Sequence, residues 1–394
     1  MTLRPPVTDW TSDWDHLDPS WLSDPYSIWR ELREACPVAH TGRYRGVYFP
    51  TRYSDIREIA YDPAHFSSRR VVVREGDYRV NSPPITSDPP DHRPLRMVLI
   101  PPFTPQAVAA LEGRTRAVCN ELIDAFIENG IGDGAVDYAQ HIPVRIIAHM
   151  LGIPASDGDR FRGWITMALQ DGITNQAALK QAEEEIAAYF VEQIRQRRGQ
   201  VGEDLVSFLI QARQPNGEAF SDHQVLGALR LLLVAGTDTT WSAIGSAIWH
   251  LATVPADRER LVREPELIPT AIEELLRAYA PVTMAREIVD DVAVGGCPMK
   301  RGEMVLLSFP AANRDPGKFP DADKVVIDRK ENPHVAFGLG IHRCIGSNLA
   351  RMEMRVAVEE WLRRIPEFRL DPSRPMTWSQ GTVRGPRLLP IVFG

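Results

Sequence analysis

The sequence predicts a mainly α protein with a minor β part, built around one long buried helix. Three observations carry this. From residue 105 to about 253 the pattern is mainly helical, with apolar residues at three-to-four spacing. Inside that stretch, residues 221–254 form one helical run whose middle is apolar on most sides, and a helix apolar all round is buried. The strand-like runs are short and lie outside this region.

The elements follow in order. The first hundred residues mix short strands and helices, and 44–53 has strand character in Val47, Tyr48 and Phe49. Residues 108–129 and 177–198 read as amphipathic helices. The run 221–254 has an N-cap in Ser221 and a stop at Pro255, which gives a helix about 50 Å long. Such a helix needs a large protein around it. A helix follows at 264–279, then strands at 286–294 and 303–309, and an irregular stretch to 340. Residues 348–364 are helical again, and 377–393 reads as extended with a turn near Gly385 and Pro386.

Composition excludes several classes. Lys and Arg number 45 against 52 Asp and Glu, a formal charge of −7, so no basic excess argues for nucleic acid. The four cysteines, Cys36, Cys119, Cys297 and Cys344, lack C-x-x-C spacing, which speaks against a disulfide framework or a zinc ribbon and for a reducing compartment. The polar N-terminus carries no signal pattern. The most apolar stretch, 229–236, is interrupted by Arg230 and falls short of the roughly 18–20 residues that cross a bilayer. A soluble, cytoplasmic protein is expected.

Four segments carry chemistry. The first is Phe337-Gly338-Leu339-Gly340-Ile341-His342-Arg343-Cys344-Ile345-Gly346. Two glycines two apart allow a sharp turn and a close approach to something flat. Cys344 just precedes a helix, whose N-terminal dipole favours an anion. That position is expected to lower the thiol pKa, and a thiolate is a good soft ligand for iron. Taken alone, a cysteine in such a loop reads as buried and inert. The second segment, Ala235-Gly236-Thr237-Asp238-Thr239-Thr240, puts a glycine, hydroxyls and an acid in the middle of the buried helix. Polar groups there cost free energy unless satisfied, and Thr hydroxyls can bond the carbonyl one turn back. In the third, Glu274-Leu275-Leu276-Arg277, the acid and base share a helix face; alone this is a surface ion pair. The fourth, residues 88–96, puts His92 and Arg96 one turn apart behind Asp91, a helix start. Two such donors suit a carboxylate or phosphate pair.

In this order the segments resemble the cytochrome P450 superfamily. Residues 337–346 match its haem signature, F-x-x-G-x-x-x-C-x-G, at every fixed position. The resemblance covers about residues 15–394 and is closest to the soluble bacterial type, similar to the camphor-hydroxylating enzyme. It implies a single haem domain over 1–394 and haem b (iron protoporphyrin IX) between the long helix and the cysteine loop. Cys344 is then the thiolate ligand, with Phe337 and Gly346 in the same loop and Ala235 and Gly236 on the facing helix. His92, Arg96, Arg286 and His342 match propionate contacts. Asp238 and Thr239 match the acid–alcohol pair that delivers protons during O2 activation. Glu274 and Arg277, with Arg329 as third partner, match a structural lock on the irregular stretch 313–335.

The resemblance also implies a monooxygenase that takes O2 and two electrons. The donor expected is a separate ferredoxin with an NAD(P)H-dependent reductase; Arg93, Arg343 and Arg351 are candidates to steer an acidic ferredoxin. Ile85, Leu231, Leu232, Ala235, Val282, Met284 and Val383 match the pocket regions, and all are apolar. Val80 stands where the camphor enzyme has its tyrosine anchor. A small hydrophobic substrate, such as a terpenoid or alkyl-aromatic compound, is expected, to be hydroxylated or otherwise oxidised. Arg384, beside Val383, is a weaker carboxylate anchor that reads as pointing away. A monomer is the default. The alternatives are a haem-thiolate peroxygenase or non-oxygenase enzyme, against which the Asp238–Thr239 pair argues, and a haem sensor or carrier, for which no DNA-binding segment is read.

Overall fold

The computed structural model describes residues 5–76 and 81–394. Its longest element is the helix Asp222–Thr253. A capping box starts it: the Ser221 hydroxyl accepts from the Gln224 N–H, and the Gln224 side chain accepts from the Ser221 N–H. Pro255 opens the next helix, Pro255–Arg263. The long helix packs against His141–Met150, Gln176–Arg197 and Ser347–Arg364. These helices share one apolar core containing Ile147, Phe190, Leu229, Ile244 and Trp361.

The main sheet runs Val38–Thr41, Val47–Pro50, Met304–Ser308, Thr283–Ile288, Phe66–Ser67. It is antiparallel except where Val47–Pro50 meets Met304–Ser308. Because side chains alternate along a strand, Met284 and Arg286 share one face and Ala285 takes the other. Ala285 joins a second core with Trp14, Trp21, Trp29 and Phe49, which fastens residues 14–32 to the sheet. A smaller sheet pairs Pro390–Phe393 with Ile131–Asp133 and Phe368–Leu370, so the tail lies across the helical core.

Several boundaries differ from the sequence reading. The helix expected over 108–129 is broken into Pro105–Ala109 and Glu112–Asp124. A 2.9 Å bond from the Leu111 N–H to the Val108 carbonyl tightens the end of the first piece. The strand expected over 44–53 starts only at Val47, since Tyr44 and Arg45 are left-handed with φ of 56° and 69°, and Tyr53 already opens the helix Tyr53–Tyr61. The strand expected over 286–294 begins at Thr283 and ends at Ile288; Val292–Val294 forms a separate hairpin with Cys297–Met299. Asp91 precedes the helix His92–Leu99 but makes no capping bond. Among the described residues no helix is long and apolar enough to cross a membrane.

Candidate active site

The cysteine loop is shaped by two left-handed glycines, Gly338 (φ 69°) and Gly340 (φ 67°). A Cβ on Gly340 would lie 2.2 Å from the Ala60 carbonyl oxygen, so no other residue fits there. The loop closes with a 2.8 Å bond from the Cys344 N–H to the Phe337 carbonyl. The helix Ser347–Arg364 follows directly. Cys344 has exposed surface, yet dense surroundings push its thiol pKa up. The two observations agree when the sulfur faces an interior cavity. The direction corrects the expectation of a lowered thiol: burial outweighs the Gly346 N–H and the Arg96, Arg343 and Arg351 charges, all of which lower it.

The middle of the long helix opens on the same kind of space. Ala235 is exposed and Thr239 half-buried, while Leu233, Thr237 and Asp238 are fully buried. Thr237 Oγ1 donates to the Leu233 carbonyl at 2.6 Å and Thr239 Oγ1 to the Ala235 carbonyl at 2.9 Å. Both hydroxyls are thus satisfied one turn back. A Cβ on Gly236 would meet only Ile147 Cδ1, at 3.8 Å, so packing does not demand glycine there. Asp238 faces away from the cavity, towards Arg387: Nη2 lies 2.7 Å from its Oδ1.

A third wall is basic. The rings of His92 and His342 lie 4.5 Å apart. His342 Nε2 is 2.9 Å from Ser68 Oγ. Arg286 is buried, and the acceptor nearest its Nη1 is the carbonyl of its own neighbour Ala285, at 2.7 Å. Burial lowers the Arg286 pKa to about 10, with Asp88 opposing. Burial also lowers His342 to about 3, helped by Arg286, His92 and Arg96. His92 Nε2 is buried without a partner among the described residues. Arg96 Nη2 donates to the Arg343 carbonyl.

Behind the loop lies a buried network. Arg277 and Glu274 form two 2.8 Å bonds, and both are fully buried. Arg329 Nε reaches Glu274 Oε2 at 2.9 Å, and the Val326 N–H reaches Oε1 at 2.8 Å. Arg277 also donates to the carbonyls of Asn313, Ala322 and Lys324. The irregular stretch is therefore tied to one helix face.

A model of the cytochrome P450 family matches residues 169–378. The chain is 37% identical to mycinamicin IV hydroxylase/epoxidase of Micromonospora griseorubida over 92% of this chain and 94% of that one. It is 32% identical to vitamin D(3) 25-hydroxylase of Pseudonocardia autotrophica over 98% of each. The chain belongs to the cytochrome P450 family. Among solved structures, CYP101J2 superposes with a TM-score of 0.88 at 29% identity, covering 100% of both chains. CYP109E1 of Bacillus megaterium, in complex with testosterone, superposes at 0.87 with 32% identity over 94% of this chain and 98% of that one.

As a P450 this is a monooxygenase that binds haem b. Its residues fit that group. The basic wall holds four such side chains, with Asp88 as the acid acting on His92 and Arg286, and it includes an orphaned nitrogen. Such a wall suits two carboxylates. A soft sulfur faces the interior from the loop beside it.

The pocket positions separate. Val282 and Val383 are bridged to each other. Leu231 and Ile85 are half-buried and Met284 packs at the edge of a core. Leu232 lies inside the main core instead of lining the cavity, because it sits about 100° round the helix from Leu231. Val80 falls outside the described residues. Arg384 donates to the Leu22 carbonyl at 2.6 Å and stacks 4.5 Å from the Trp378 ring, so it points away from Val383's pocket side. Arg351 is held by Glu273 at 2.6 and 2.9 Å and lies 4.4 Å from the Phe337 ring; its charge is matched and adds little steering. Sequence reading missed Arg387, and it missed the cluster of Arg74, Glu183 and Arg230. No motif spacing links either set, though Arg230 interrupting an apolar helix was a visible signal.

Proposed function

We propose that this P450 inserts one oxygen atom of O2 into a predominantly apolar substrate, using electrons from a separate ferredoxin system. Haem b supplies the reductive activation of O2 and the oxygen insertion. Cys344 is the residue that would hold the iron, and His92, Arg96, Arg286 and His342 would hold the propionates. Thr239 Oγ1, with its proton engaged by Ala235, can accept a hydrogen bond on the cavity side. Asp238 holds a proton site behind it. Leu231, Ile85, Val282 and Val383 exclude water and bind by area, with weak orientation. The vitamin D(3) and testosterone named for the two relatives are consistent with a hydrophobic substrate. The ferredoxin reading rests on exposed Arg93 and Arg343 beside exposed Met97, Ile100 and Ile341, a cationic patch with an apolar centre of the sort acidic partners use. All four cysteines are free, which fits a cytoplasmic monomer of one haem domain.

The observation that carries the reading is the Cys344 loop, turned by the left-handed Gly338 and Gly340 and closed by the Cys344 N–H to Phe337 carbonyl bond, beside the basic side chains of His92, Arg96 and His342. The reduced CO complex of the purified protein is expected to show the red-shifted Soret band of a thiolate ligand, and Cys344→His is expected to abolish it. Survival of that band in the variant overturns the assignment. A screen of hydrophobic compounds for a low-to-high-spin shift then identifies substrates.

A further inference from the structure

Arg74, Glu183 and Arg230 come from three separate segments. Arg74 lies three residues beyond Val71, whose carbonyl accepts the Ala285 N–H at 2.9 Å, beside the strand that carries Met284. Glu183 belongs to the helix Gln176–Arg197. Arg230 immediately precedes Leu231 on the long helix, one turn beyond Gly227, where an added Cβ would lie 2.7 Å from Pro83 of the Ile85 loop. Arg230 Nη2 is 3.1 Å from Glu183 Oε1, and both side chains are largely buried. Arg74 also acts on Glu183. The loop, the helix and the long helix therefore converge on one carboxylate, close to the Ile85 loop, which Gly227 meets one turn before Arg230.

The charges there do not balance. Glu183 is matched by Arg230, and Arg74 adds a second cation. Arg74 Nη1 is buried and has no hydrogen-bond partner among the described residues. A buried donor left unmade costs about 1–3 kcal/mol, more when charged. If Arg74 served only to latch the loop to the helix, its guanidinium would bond Glu183 directly, and no such bond forms. An unmatched guanidinium beside an apolar pocket is a fork for a carboxylate.

We propose that Arg74 is a substrate-recognition residue that pairs with a carboxylate on an otherwise apolar substrate. This rests on the haem-thiolate reading and sharpens it: the substrate is amphipathic, with an apolar body towards Ala235 and Thr239 and an anionic end at Arg74.

The test uses ω-(imidazol-1-yl)alkanoic acids of increasing chain length, against 1-alkylimidazoles of matched length. In the holoenzyme the imidazole binds iron and the chain extends into the pocket. At one length the acid is expected to bind about tenfold tighter or more than its uncharged partner, read from the Soret shift. Arg74→Gln should erase that preference without changing the alkylimidazole affinity, and Arg74→Lys should keep part of it. A wild-type protein that prefers the acid at no chain length overturns the proposal, as does a preference that survives in Arg74→Gln. Should Arg74→Gln not fold, the wild-type series and Arg74→Lys still decide, a Lys variant with the full preference counting against. Failure of the haem-thiolate reading looks different: no Soret shift with any alkylimidazole, and no red-shifted CO band.

Discussion

Arg387 Nη2 lies 2.7 Å from Asp238 Oδ1, joining the C-terminal tail to the acid proposed above for proton delivery. The contact depends on a close approach of backbones. A Cβ on Gly385 would fall 2.3 Å from Ser242 Cβ, so glycine lets the strand Pro386–Leu388 lie against the long helix. Arg387 Nη1 also donates to Ser242 Oγ at 3.0 Å, and its guanidinium sits 5.5 Å from the Trp241 ring. Burial pushes the Asp238 carboxyl up, and Arg387 opposes that shift. The arginine thus works against burial and favours the ionised form of the acid.

Removing that counter-charge should slow proton delivery. Arg387→Met is expected to lower turnover about tenfold to a hundredfold, within the range general acid–base groups contribute. The substrate-induced spin shift should be unchanged, because the Arg387 guanidinium is engaged by Asp238 and Ser242. Arg387→Lys should recover part of the rate. The solvent isotope effect on turnover checks the cause, since it should rise in the Met variant. Unaltered turnover and isotope effect would remove Asp238 from the proton path.

Thr239 tests the other member of the pair. Its hydroxyl proton is engaged by the Ala235 carbonyl, so its remaining capacity is to accept. Thr239→Val keeps the volume and loses the hydroxyl. Electron consumption should continue while product falls, with hydrogen peroxide making up the difference; Thr239→Ser should stay largely coupled. Peroxide and product measured per NAD(P)H consumed decide this, and a fully coupled Val variant contradicts the assignment.

Glu274 holds more partners than any motif spacing reveals: Arg277, Arg329, Asn332 and the Val326 N–H. Glu274→Ala leaves the two arginines without their carboxylate partner. Breaking a buried pair in this way costs about 3–5 kcal/mol. Reduced thermal stability and poor haem retention are expected together, because the same network fixes the stretch leading into the cysteine loop. A variant with wild-type unfolding behaviour would show that the backbone carbonyls around Arg277 suffice alone.

Much of this site was legible in the sequence, for identifiable reasons. The long helix announces itself through Ser221, an apolar middle and Pro255, all local signals. The Cys344 loop is legible because Gly340 has no substitute beside the Ala60 carbonyl. The break at Ala110 and Leu111 was not legible, since both residues suit a helix and only a local bond from the Leu111 N–H to the Val108 carbonyl marks the change. Leu232 was misplaced because neighbouring apolar residues on a helix buried on most sides look alike without knowing which stripe meets the cavity. Arg387 and Arg74 were invisible for a different reason: the acids they face, Asp238 and Glu183, lie far away in the chain, and a meeting of buried charges leaves no periodic trace.

Glu353 gives the last prediction, from the reverse of ordinary carboxylate behaviour. It lies on the helix Ser347–Arg364, is 1% exposed, and its Oε2 has no partner among the described residues. Burial alone pushes its pKa up to about 8, far above the ordinary carboxylate range. Its titratable neighbour Cys119, itself pushed up to about 12, stays neutral throughout. In the unfolded chain Glu353 loses its proton at the ordinary carboxylate value, about 4.3, whereas the folded protein keeps it until about 8. Between those two values the folded state binds more protons, so stability falls as pH rises, and the fall ends above the folded pKa. At about 1.4 kcal/mol per pKa unit the effect amounts to a few kcal/mol. Glu353→Gln keeps the shape and the neutral state, so its stability should not carry this slope. Denaturant unfolding of both proteins at about pH 5 and about pH 8 isolates the effect, because every other titrating group is common to the two. The variant should gain on the wild type as pH rises; parallel curves would mean that water or a rearranged partner solvates the carboxylate in the folded state.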